Sequence, residues 1–354
     1  MLATPSSRNG HEGGRPPDVQ SVGSWHTARG DGPLLTSRFR HKLQTSPRRA
    51  VVAASTALPS TLVERVRREY AGTRTDSVKG RVLSGFLEIV RHRGIPQEIH
   101  TFELIDNPGV RFVSGDSLAL QRLYWFGERG HEPAVMRCWR SCCRAATKIL
   151  ELGGNVGSFT VQGGLAAPVT EYTVVEPHPF SAHLLRQNLD VNNLRHVKVI
   201  EAAATGEHSQ DHVELWIPAK DHFGAPGGAY LPTGSEIARS PRESITVSAV
   251  DIRNLIEGVD LLKLDVEGFE YELLSSIRDY LLDRTPTIFV EVLARARRLQ
   301  AFIGELCLGP YLCFVPTDEG VVEVEPTEMG VEAIRKLGSR DVVLATDVSH
   351  LLSE

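Results

Sequence analysis

Apolar residues recur at helical spacing over 62–70 and again over 78–93, which predicts two amphipathic helices. Asn107-Pro108-Gly109 then separates two short β-like runs and predicts a hairpin of 100–106 with 110–114. The helical period returns over 133–147. Beyond Lys148 the pattern changes to short apolar runs alternating with helical stretches. Strands are expected at 148–152, 171–175, 197–201, 213–217, 244–247, 261–264 and 287–290. Helices are expected at 158–167, 180–192, 250–257 and 271–282. Apolar strands separated by helices imply an α/β fold, with a mostly parallel sheet covered on both faces. Residues 321–324 and 341–344 are expected to close it as an antiparallel hairpin.

The pattern divides the chain into three. Residues 1–57 are rich in Gly, Pro, Ser and Arg without a period, so they are expected to form a disordered tail. In that tail Arg48-Arg49 and the weak Ala/Val run after it read as plain tail rather than as an export signal. Residues 58–147 form a helical and hairpin extension, and 148–354 the sheet domain. Within the latter, 219–242 is a long Gly/Pro-containing loop of the kind that serves as a substrate lid or mobile segment.

Composition narrows the class. The net charge of −5 is uneven, because residues 1–50 hold eight Arg and Lys against three Asp and Glu. The remainder is therefore strongly acidic, which argues against a nucleic-acid footprint. No run approaches the roughly 20 apolar residues of a membrane span, so a cytoplasmic protein without a membrane partner is expected. The five cysteines (138, 142, 143, 307 and 313) are odd in number and contain no CxxC pair, and Cys138 and Cys142, on one helical face near Met136 and Trp139, read as small buried apolar residues. His208, His212 and His222 are irregularly spaced and read as solvent-facing; a divalent ion held by Asp265, Glu267 and Glu291 is a lesser alternative, and no metal site is assigned.

The candidate chemistry lies at strand ends. The first strand runs into Glu151-Leu152-Gly153-Gly154-Asn155-Val156-Gly157-Ser158-Phe159, a turn of small residues that lets a ligand approach the backbone and a helix N-terminus. A dinucleotide fingerprint needs Gly at i, i+2 and i+5, and from Gly153 those positions hold Asn155 and Ser158. An acid before the glycines repels pyrophosphate but suits the cationic aminoacyl part of S-adenosylmethionine (SAM). Glu176 falls at the tip of the neighbouring strand, where a carboxylate can accept both ribose hydroxyls. Pro177 and His178 follow it, with Pro177 placed to pack beside adenine. Ala203, at the third strand's tip, leaves room for the same ring. The fourth strand, Leu261-Leu262-Lys263-Leu264-Asp265-Val266-Glu267-Gly268, carries three charges that alternation puts on one side, facing the carboxyl edge where open sheets bind ligands. An ion pair of Lys263 with a neighbouring acid is the structural alternative.

With these residues in view, the sequence resembles the FkbM-type family of SAM-dependent methyltransferases over about residues 100–320. The resemblance rests on the Glu151–Phe159 turn, Val175-Glu176-Pro177-His178-Pro179, the helix with Asn188 and Asn192, and Leu261-to-Glu270 as LLKLDVEGFE. Pro286 to Glu291 completes the order, and Glu132 stands before the first strand as a family Glu often does. Glu151 and Gly154 replace the more usual Asp and Ala. The resemblance implies a seven-stranded Rossmann-like class I methyltransferase sheet. It implies O-methylation of hydroxyls on natural products or sugars, hence a small-molecule or glycan acceptor. It also implies SAM binding by Glu151, Gly153, Asn155, Gly157 and Glu176, with Ser158 and Phe159 in the same turn, and places Asp265 and Glu267 near the transferred methyl. On this reading Asp265 or Glu267 takes the acceptor's proton and Lys263 tunes the pair. The competing classes are a nicotinamide-dependent oxidoreductase, disfavoured by the glycine spacing, and a degenerate SAM-binding scaffold, disfavoured by the intact motifs.

Overall fold

The computed structural model describes residues 58–206, 211–219, 223–232, 241–293, 295–325 and 339–351. The expected tail at 1–57, His208 and His222 lie outside the described residues, as does part of the 219–242 loop.

The front section begins with α1 (Ser60–Ala71) and α2 (Val78–Val90). Ser77 starts α2 by accepting a hydrogen bond from the Gly80 amide at 2.9 Å, the usual satisfaction of a free helical N–H. The hairpin forms as β1 (Thr101–Glu103) against β2 (Arg111–Val113), with Phe102 opposite Phe112. A helix without a clear amphipathic pattern follows, α3 (Leu118–Phe126). Its last four residues are all buried, which blurs the 3.6 period. The section ends in α4 (Pro133–Ala145), opened by Pro133 at its first turn.

The main sheet has eight strands in the order β12-β11-β13-β10-β9-β3-β4-β5. These are β3 (Lys148–Leu152), β4 (Glu171–Val175), β5 (Val197–Ile200), β9 (Leu261–Leu264), β10 (Thr287–Glu291), β11 (Leu312–Thr317), β12 (Gly320–Glu323) and β13 (Asp341–Ala345). The five from β5 to β10 are parallel, and β13 runs antiparallel to both β10 and β11. Helices α5 (Ser158–Ala166) and α6 (Pro179–Val191) connect the first three strands. The chain then returns to lay β9 on the other side of β3. That reversal is the switch point at which open sheets place their ligands.

Four expectations are corrected. Residues 321–324 and 341–344 do not pair with each other: β12 pairs with β11, and β13 inserts between β11 and β10. All five residues of β13 are buried, so it needs a neighbour on each side, whereas half-exposed β12 suits an edge. The runs at 213–217 and 244–247 leave the main sheet for a second one, where β7 (His212–Pro218) and β8 (Pro241–Asp251) pair antiparallel and β6 (Ala203–Thr205) joins β8. The helix expected at 250–257 is instead the end of β8 and a single 3₁₀ turn, because the Asp251 carboxylate accepts the Arg253 amide at 2.9 Å and turns the chain. The helix expected at 271–282 breaks at Ile277 into α7 (Glu270–Ser276) and α8 (Arg278–Arg284). One more helix, α9 (Arg297–Cys307), leads to β11.

Two apolar layers flank the sheet. One buries Trp139 of α4 among Phe159, Tyr172 and Phe289, so the front section and the sheet share a core. The other packs Leu264, Leu273, Ile288 and Leu299. Cys138, Cys142 and Cys143 are buried in the first layer as expected.

Candidate active site

The turn after β3 is held by backbone conformations that few residues tolerate. Gly153 sits at φ +87°, and a Cβ there would lie 1.9 Å from the Asp265 carbonyl oxygen. Its smallness therefore lets the β3 turn close onto the end of β9. Asn155 follows at φ +47°, and its amide donates to Glu176 Oε2 at 2.7 Å. The His178 amide donates to Glu176 Oε1 at 2.8 Å. Each carboxylate oxygen keeps a lone pair for a further donor. Burial pushes the Glu176 carboxyl up to about 7, opposed by those two amides.

Beyond Glu176 the cleft is walled by Pro177, Ala203, Leu215, Tyr230, Leu231 and Phe269. This flat apolar slot suits a heteroaromatic ring beside a carboxylate that can hold two hydroxyls, so the residues fit an adenosine group. The loop after β7 roofs it. Asn155 Nδ2 donates to the Pro226 carbonyl at 3.0 Å, while the Gly224 and Ala225 amides, each at 2.9 Å, donate to the side chain and carbonyl of Asp116.

A second cavity of about 410 Å³ shares Gly153, Asn155, Asp265 and Glu267 with the first. Lys263 lies in its floor, fully buried, with Nζ 3.4 Å from Asp265 Oδ2 and 4.4 Å over the Phe159 ring. Burial alone would strip its proton, but Asp265, Asp341 and Glu151 hold the ammonium well above its ordinary pKa. Glu151 is 1% exposed and accepts the Tyr172 hydroxyl, and burial pushes its carboxyl up. It lies in the floor of the cavity beside Lys263, its register partner. Glu132, Glu291 and Arg340 complete the rim, and burial pushes both carboxyls up.

The structure brings most sequence-selected residues to these two cavities, with three changes. Gly157 lies behind the turn at φ +85°, where a Cβ would meet Leu185, so it shapes the start of α5 instead of facing a ligand. Strand alternation ends at Leu264, and it is the following turn, with Glu267 at φ +57°, that brings Glu267 beside Asp265. Phe159 and Ser158 line the second cavity, Phe159 beneath Lys263. Sequence reasoning missed His131, Asp116, Glu270 and Arg340. His131 lines the second cavity and burial pushes it down to about 4. Glu270 accepts the Val266 and Gly268 amides at 3.0 and 3.1 Å, fixing the turn that carries Asp265 and Glu267.

No curated protein matches the chain. Among solved structures it is similar to methyltransferase FkbM from Methylobacillus flagellatus KT (15% identity, 56% of this chain and 43% of that one, TM-score 0.33). It is also similar to an O-methyltransferase from Bacillus cereus in complex with SAH (10%, 61% and 82%, TM-score 0.34). A third is precorrin-6y C5,15-methyltransferase from Geobacter metallireducens GS-15 (13%, 60% and 84%, TM-score 0.32). The chain thus spans less than half of the first of these proteins, and likeness at this level carries no inference about chemistry. Residues 152–310 match the methyltransferase FkbM domain, a span that holds the turn from Leu152 on and the lining of the first cavity, while Glu132, Glu151 and Arg340 of the second lie outside it. Over these residues the chain is similar to the FkbM-type family of S-adenosylmethionine-dependent methyltransferases.

Proposed function

We propose that the domain methylates a hydroxyl oxygen on a small molecule or glycan. The observation that carries this reading is the shared wall of the two cavities: Gly153, Asn155, Asp265 and Glu267 border both the adenosine-shaped slot and the charged pocket. Glu176 accepts the ribose hydroxyls, Pro177 and Ala203 pack the adenine, and Gly153, Asn155 and Asp265 meet the aminoacyl end. Bound SAM supplies an electrophilic methyl on a sulfonium. An acceptor hydroxyl held in the charged pocket would take that methyl by in-line displacement, the new O–C bond replacing the S–C bond. The hydroxyl proton passes to the carboxylate of Asp265 or Glu267. Lys263, in the floor of the same pocket, orients Asp265 through the 3.4 Å contact of its Nζ with Oδ2.

Calorimetric titration with SAM, with NAD as the parallel control, tests the reading. Micromolar SAM binding that Glu176→Ala abolishes supports it, and a folded sample that binds NAD but not SAM overturns it. With an acceptor in hand, replacing the base by Asp265→Asn or Glu267→Gln lowers kcat by about 10²–10⁴, and in Glu267→Gln SAM affinity stays unchanged. Full turnover in both variants would reject the proton-transfer role.

A further inference from the structure

In the pocket beside the slot, the carboxylates of Asp265, Glu267 and Glu291 each present one oxygen, and the three lie within 4.8 Å of one another. Oxygens about 2.1–2.4 Å from one hard cation are separated by no more than that span. Acidic clusters on their own are common, so the deciding observation is Glu291. It is 5% exposed, its Oε1 meets Arg340 Nη1 at 3.2 Å, and its Oε2 has no hydrogen-bond partner among the described residues. Other buried carboxylates here are supplied with donors: Glu151 by Tyr172, Glu176 by two amides, and Glu270 by two more. An orphaned carboxylate oxygen in a buried wall costs a few kcal/mol unless something positive meets it. Among the described residues Arg122, Lys263 and Arg340 are the Arg and Lys lining this cavity, three cations against the five carboxyls of Glu132, Glu151, Asp265, Glu267 and Glu291.

We infer that Asp265, Glu267 and Glu291 form a binding site for a divalent cation of the hard, oxygen-preferring kind, such as Mg²⁺ or Mn²⁺. Three carboxylate oxygens leave coordination positions open on the cavity side, where an acceptor bearing one or two adjacent oxygens binds. The use of the ion rests on the transferase reading given above. The binding of the ion stands on the geometry alone.

Mn²⁺ titration of the full chain saturated with S-adenosylhomocysteine (SAH) tests the site, with free Mn²⁺ followed by electron paramagnetic resonance and SAH affinity measured separately by calorimetry. One Mn²⁺ per chain, displaced by Mg²⁺, is expected. Glu291→Gln, which preserves shape, weakens it at least tenfold with SAH affinity within twofold, and Glu267→Gln weakens it comparably. A protein that binds SAH but no Mn²⁺ overturns the inference, as does Mn²⁺ binding that neither variant weakens. Mn²⁺ binding that depends on Glu291 in a protein that fails to bind SAM or SAH upholds the ion site and overturns the transferase reading instead.

Discussion

Glu176 has two amide donors and a buried environment pulling in opposite directions, and burial wins, leaving its carboxyl at about 7. A folded-state value above the unfolded one means that the group's stabilising contribution is fullest below the ordinary carboxylate range. It is lost as pH rises through about 7. On the proposed reading, ribose hydroxyls donate to the ionised form, so SAM binding would select it and release a proton. Affinity at pH 8 should therefore exceed that at pH 6 by about tenfold, and calorimetry at pH 7 should detect about half a proton released per SAM. Equal affinities at the two pH values would remove Glu176 from the binding reaction. Gly153 makes a sharper demand of a different kind. Gly153→Ala combines a positive φ with a Cβ driven into the Asp265 backbone, so both β3 and β9 ends must move. Loss of at least ~2 kcal/mol in urea unfolding is expected, together with loss of SAM binding. An unchanged midpoint would refute this account of the turn.

At the scale of elements, α6 works as a clamp. Asn188 Oδ1 accepts the Val113 amide at 2.7 Å while its Nδ2 donates to the Val156 carbonyl at 2.7 Å, and Asn192 brackets Arg111 in the same way. One helix thus ties the front hairpin to the Gly153–Gly157 turn. Asn188→Ala strands two backbone groups in a buried site and should lower stability by ~2–4 kcal/mol, with faster hydrogen exchange at Val113 as the specific readout. Normal protection at Val113 would show that water or another side chain replaces the clamp. The two asparagines were visible in the sequence, as were β3, β4, β9 and β10, because buried parallel strands read as short apolar runs. What the pattern missed has a common cause. The turn at Asp251 and the break at Ile277 depend on local hydrogen bonding and backbone angles that periodicity does not encode. The place of β13 depends on neighbours remote in sequence.

For the whole molecule, that placement of β13 is what gathers the charges. Asp341, at its start, pairs in register with Glu291, and Arg340 reaches the same carboxylate, so residues about 50 apart in sequence meet at the sheet edge. The acids at the ends of β9 and β10 were readable as a cleft, but their basic partner Arg340 and the loop roof held by Asp116 arise only from the assembled sheet. The same assembly bears on the division at residue 147. Trp139, fully buried, contacts rings from α5, β4 and β10, so removing the front section would expose the sheet's largest aromatic layer. Fully burying one such side chain contributes ~1.5–3 kcal/mol, and the shared core contains several. The front section and sheet should therefore unfold together. Tryptophan fluorescence, dominated by Trp125 and Trp139 in the core, should trace the same urea transition as far-UV circular dichroism, and a chain starting at 148 should lack that cooperative transition. Two separated transitions, or a folded fragment, would show that the residues before β3 are a detachable domain and that the core they share with the sheet contributes little to its stability.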